Sequence, residues 1–170
     1  MKNLVFLDES SSNTNFTRRY GRAKGGQRVV DHVPFSKPKN ITMLSSIRLD
    51  GSTVYTTYSG GTTGEKFIAY LKEKLIPALH KGDIVVMDNL RTHHIEEVRT
   101  LLENAGMEAL YLPPYSPDMN PIEMMWSKIK SILRTMKERT VENLFKAIPK
   151  AFEKISPEDC IGWFKQSGYI

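Results

Sequence analysis

Two short apolar runs, each closed by an aspartate, set the first limit on what this chain can fold into. Leu4-Val5-Phe6-Leu7 stops at Asp8, and Ile84-Val85-Val86-Met87 stops at Asp88. Unbroken apolar runs of this length read as strands buried on both faces, the pattern of parallel sheet covered by helices. A third acid, Glu123, opens a helix just after the turn-rich stretch Leu112-Pro113-Pro114-Tyr115-Ser116-Pro117-Asp118-Met119-Asn120-Pro121. Three carboxylates brought to one sheet edge repel one another unless a cation neutralises them. Such a site suits hard divalent ions, which prefer oxygen ligands.

The chain has 170 residues, 40% hydrophobic and 25% charged, enough for one domain with a proper core. No apolar stretch approaches the ~20 residues that cross a bilayer, so no membrane association is expected. The apolar part of the N-terminus is too short for a signal peptide. A single cysteine, Cys160, suits a reducing compartment and reads as a small core residue, giving a cytoplasmic, nucleoid-associated expectation. The net charge of +5 is unevenly spread. Residues 15–40 hold seven bases (Arg18, Arg19, Arg22, Lys24, Arg28, Lys37, Lys39) against Asp31 alone. Residues 124–154 hold eight bases against three acids, leaving the remainder at −6. Basic flanks around an acidic remainder point to a polyanion, with affinity falling as salt rises. A basic solvated face explains the same charges equally well.

The expected element order is a strand over 2–8, a basic glycine-containing loop, and a hairpin of strands 40–49 and 52–58 turning at Asp50-Gly51. A helix over 63–79 follows, with Pro77 kinking its end. Then come strand 84–87, a helix over 94–104, strand 107–112, a long helix from Asn120-Pro121 to about Lys137, and helices over 140–154 and 157–164. A hairpin joined to parallel strands through crossover helices gives an α/β fold, a mixed five-stranded sheet with helices on both faces. Parallel pairing of the first and fourth strands sets Asp8 beside Asp88 at the edge where open α/β sheets bind ligands.

Each acid also has a purely structural explanation. Asp8 suits a strand-end turn, and Asp88-Asn89 suits a helix cap. With Asn120 as N-cap and Pro121 at the first helical position, Glu123 falls where a capping box places its acid. Trp126 lies on the apolar face of the long helix and reads as core, not as a stacking platform.

Asp8-Glu9-Ser10, Asp88-Asn89-Leu90-Arg91-Thr92-His93 and the block from Leu112 to Glu123 together resemble the catalytic domain of a DDE transposase. The nearest likeness is the bacterial insertion-sequence branch of the mariner-like superfamily, which uses the 34-residue gap between Asp88 and Glu123. Arg19-Tyr20-Gly21-Arg22-Ala23 is similar to that family's loop after the first strand. The resemblance implies a ribonuclease-H-like fold spanning residues 1–170 as one catalytic domain. It implies that Asp8, Asp88 and Glu123 hold two Mg²⁺ or Mn²⁺ ions. It further implies hydrolysis of a phosphodiester at transposon ends, then attack of the freed 3′-hydroxyl on target DNA, usually at TA. DNA is the implied partner, with a homodimer when DNA-bound. Full-length members carry helix-turn-helix segments ahead of the first catalytic strand, and these are expected to be absent here. The candidate DNA contacts are Arg18, Arg19, Arg22, Lys24, His93, Lys128, Lys130 and Arg134. Two other readings stand beside this one: a ribonuclease-H-like nuclease without strand transfer, and a non-catalytic DNA-binding remnant.

Overall fold

The computed structural model describes residues 3–88 and 96–170. Five strands form one sheet in the order β3-β2-β1-β4-β5. They are β1 (Leu4–Asn13), β2 (Asn40–Arg48), β3 (Thr53–Ser59), β4 (Ile84–Met87) and β5 (Glu108–Tyr111). β1, β2 and β3 are antiparallel neighbours, whereas β4 and β5 run parallel to β1. The expected mixed sheet is present, and so is the pairing that matters. Leu4 to Leu7 lie in register with Ile84 to Met87, so Asp8 and Asp88 follow adjacent positions of neighbouring strands.

β1 is longer than its apolar run predicts. Residues 9–13, polar enough to read as loop, stay extended because every one pairs with β2, from Glu9 opposite Leu44 to Asn13 opposite Asn40. Asp8 therefore sits in mid-strand, opposite Ser45, and the open edge arises because β4 stops at Met87. Strand pairing with a distant segment overrides local polarity here.

Alternation along the strands splits the core into two layers. Phe6, Ile41, Met43, Ile47 and Val86 face helices α4 (Ile122–Met136), α5 (Val141–Phe152) and α6 (Pro157–Gln166). Val5, Leu7, Leu44, Val85 and Met87 face α1 (Gly64–Tyr70) and α3 (Glu96–Asn104). On α4 the buried residues Ile122, Met125, Trp126, Ile129 and Leu133 repeat at the spacing read from sequence. The start of the expected 94–104 helix lies outside the described residues.

The helix expected over 63–79 is not one α-helix. α1 widens into a π-helical turn over Leu71–Leu75, where the Ile76 N–H bonds to the Leu71 carbonyl, and closes with the short α2 (Ile76–Ala78). Pro77 has no N–H to give and its ring displaces the preceding turn, so the irregularity falls just upstream of it. The hairpin turn between β2 and β3 needs Gly51, whose φ is +88° and whose missing Cβ leaves room for Pro157 at the start of α6. Cys160 is buried among the α4–α6 layer, as expected.

Candidate active site at the edge of β4

Phe6 faces α4, so Asp8, two residues on, faces it too. Asp8 is only 5% exposed, and its Oδ2 accepts a hydrogen bond of 3.0 Å from the indole Nε1–H of Trp126. Burial pushes the Asp8 carboxyl up from its ordinary 3.8 to about 7. The backbone N–H of Glu9 and the Trp126 indole pull it down, while the carboxylates of Glu123 and Asp88 raise it further. The three acids thus share one electrostatic environment. Among the described residues, however, no three His, Cys, Asp or Glu side chains stand in metal-holding geometry.

Asp88 and Glu123 line one cavity of about 390 Å³, walled by Leu112, the turn Pro113 to Pro117, and Asn120. The wall follows from backbone pairing. The Leu112 N–H bonds to the Met87 carbonyl at 2.8 Å, carrying the β4–β5 ladder one step further, and the prolines then reverse the chain over the end of β4. Tyr115 takes φ +58° in that reversal, and a 3₁₀ turn over Pro117–Met119 delivers the chain to α4. Asp88 is half-buried and Glu123, in the first turn of α4, is exposed.

The capping box expected at Asn120 is not formed. α4 begins at Ile122 with Pro121 as its N-cap and no side-chain capping bond. The Glu123 N–H is taken instead by the Asn120 backbone carbonyl at 3.1 Å, and the amide side chain caps no N–H of the helix. That side chain is buried, and its Oδ1 has no hydrogen-bond partner. Trp126 is core, as read from sequence, but its polar edge also holds a site carboxylate, a role that no spacing rule signals.

The basic candidates divide. Arg18, Arg19 and Arg134 line a shallow groove of about 350 Å³ with Tyr20, Ser127, Ser131 and Thr135 on the outer side of α4. The Arg134 guanidinium lies 4.8 Å from the centre of the Phe16 ring. Lys130 is half-buried. Burial lowers its pKa, Arg134 and Arg19 add to that, and Glu123 and Asp8 oppose it. Lys128 is not part of this surface, because its ammonium pairs with Asp159, the N3 acid of the α6 capping box. Arg22 and Lys24 are exposed on the segment 14–39, which forms no helix or strand. His93 lies outside the described residues. Two bases counted in the basic flanks serve the fold instead. Arg139 donates to the carbonyls of Thr14 and Phe16 and to Thr17 Oγ1, while Lys137 pairs with Asp31 at 2.6 Å. Together they fasten the 14–39 segment to the α4–α5 end of the molecule.

The sheet order and the helices on both faces are those of a ribonuclease-H-like fold. The family model of the DDE superfamily endonucleases matches residues 3–145, and the chain belongs to that family. No curated protein matches the sequence. Among solved structures, the chain is similar to Mos1 transposase in a pre-cleavage transpososome, with a TM-score of 0.80 at 19% identity. That match covers 99% of this chain and 54% of the other. The Mos1 strand transfer complex follows at TM-score 0.75 and 20% identity, over 96% of this chain and 51% of that one. The Mos1 mariner paired end complex with Mn gives 0.74 and 19%, over 96% and 52%. The chain thus spans about half the length of these structural relatives. Among the described residues, no helix is long and apolar enough to cross a membrane.

Proposed function

We propose that this domain is the catalytic part of a transposase of the bacterial insertion-sequence branch, cutting DNA at transposon ends and joining the freed 3′-hydroxyl to target DNA. The observation that carries the reading is the gathering of three acids at the end of β4: Asp88 and Glu123 line one cavity, and the charges of both reach the buried Asp8 carboxyl. The donor set is all carboxylate oxygen, which fits Mg²⁺ or Mn²⁺. Asp8, Asp88 and Glu123 would hold two such ions, which when bound supply Lewis acidity to the attacking and leaving oxygens. The remaining work falls to the chain itself. Trp126 fixes the Asp8 carboxylate by one oxygen, and the groove of Arg18, Arg19 and Arg134 seats the phosphate backbone. Family membership and the likeness to Mos1 assemblies, among them a strand transfer complex and a complex with Mn, support the reading. A homodimer on paired ends and action in the cytoplasm belong to the same proposal.

The test is incubation of the purified protein with Mn²⁺ and DNA bearing the inverted repeats that flank its gene, followed by sequencing of the products. Joined strands are expected from the wild type and none from Asp88→Asn. Hydrolysed ends without joining would assign a nuclease instead. Equal cleavage by both proteins would remove the three acids from the reaction.

A further inference from the structure

Asn120 is the polar side chain at this site that the fold leaves unused. It is 5% exposed, lines the cavity with Asp88 and Glu123, and its Oδ1 is fully enclosed without a hydrogen-bond partner. A buried amide without a partner costs about 1–3 kcal/mol. The usual reason for an asparagine here, capping α4, is absent, since the backbone carbonyl of Asn120 takes the Glu123 N–H.

An orphaned carbonyl oxygen needs a donor. Phosphate and carboxylate oxygens only accept, so neither DNA phosphate nor the neighbouring acids can satisfy it. A water on a divalent ion is the opposite case, because both its hydrogens point away from the cation and seek acceptors. We infer that Asn120 is a positioning residue that would accept a hydrogen bond from a water on a divalent ion held in the cavity that Asp88 and Glu123 line. The inference rests on the metal reading above. It adds to that reading a residue outside the three acids, one that raises ion affinity by orienting the ion's own water. Outer partners of this kind change affinity by about 10–100-fold.

The experiment is calorimetric titration of the purified chain with MnCl₂, paired with thermal unfolding in EDTA. Asn120→Ala is expected to bind Mn²⁺ about 10-fold more weakly, with a melting temperature in EDTA equal to or above the wild type, because an unsatisfied buried group is gone. Asn120→Asp keeps an acceptor in place and is expected to bind at least as tightly as the wild type. A lower melting temperature for Asn120→Ala with unchanged Mn²⁺ affinity would make the amide structural and overturn the inference. Should Asn120→Ala not fold, a 10-fold loss in Asn120→Asp would overturn it instead. If Asp88→Asn abolishes binding and Asn120→Ala leaves the affinity unchanged, only the Asn120 inference fails. A wild type that binds no Mn²⁺ removes the metal reading and this inference together.

Discussion

The indole Nε1–H of Trp126 lies 3.0 Å from Oδ2 of Asp8, joining the second turn of α4 to the middle of the central strand. The two residues are 118 positions apart, and both are buried. The contact links the strand that carries Asp8 to the helix that carries Glu123.

Trp126→Phe keeps an aromatic ring near Phe152 but removes the donor and part of a fully buried ring system. Asp8 is then buried without that bond, at a cost of about 1–3 kcal/mol. Urea unfolding at pH 8 should show the loss as a lower midpoint with an unchanged slope. Mn²⁺ affinity should fall as well, because the carboxylate loses its fixed orientation.

Asp8→Asn should act in the opposite direction on the metal-free protein. The folded carboxyl titrates near 7 against an ordinary 3.8, so its ionisation disfavours the folded state. That penalty is absent below pH 4, grows between 4 and 7, and is complete above 7. In EDTA at pH 8 the variant should be more stable by up to about 4 kcal/mol, from ~1.4 kcal/mol per pKa unit. At pH 4 the two proteins should melt together, and the thermal shift on adding Mn²⁺ should vanish in the variant.

Asp83 and Arg48 form a buried pair that ties the end of β2 to the start of β4. Arg48 donates to both carboxylate oxygens, and the His80 N–H adds a bond of 2.6 Å. Burial alone raises the Asp83 pKa, but the Arg48 and His80 contacts outweigh it and hold the carboxyl below its usual range. Asp83→Asn strands the guanidinium and should cost about 3–5 kcal/mol at pH 7. A depressed pKa stabilises the fold only above the unfolded value, so the difference should shrink as pH falls below 3.8. Chemical denaturation at pH 7 and pH 3 checks both halves.

Arg134→Ala and Lys128→Ala separate the basic groove from the basic composition. Arg134 lines the groove with Arg18 and Arg19, so its loss should weaken DNA binding across sequences and reduce the salt slope by about 1. Lys128 is engaged by Asp159, so its loss should leave DNA affinity unchanged. Fluorescence anisotropy over a range of salt concentrations distinguishes them.

Much of the architecture was legible because it rests on short-range periodicity. The apolar runs before Asp8 and Asp88 mark β1 and β4, and the spacing from Ile122 to Leu133 marks the buried face of α4. The turn chemistry of Asp50-Gly51 places the hairpin. Other features ran against local pattern. Residues 9–13 are polar but extended through pairing with β2, and the Asn120 capping signal is present but unused. Lys128 was a candidate DNA contact, and Lys137 and Arg139 counted toward a basic flank, yet each is engaged within the fold.

By itself, then, the sequence determined where the apolar strands and the buried face of α4 lie, which acids follow the apolar runs, and where positive charge accumulates. Each of those is written within a few neighbouring residues. Only the tertiary structure decided that Asp8 faces Trp126, that Asn120 is enclosed beside Asp88 and Glu123, and that Arg134, not Lys128, lines the outer groove. Those outcomes depend on pleat parity, strand register and helix rotation, which bring together residues scores of positions apart and leave no trace in local spacing.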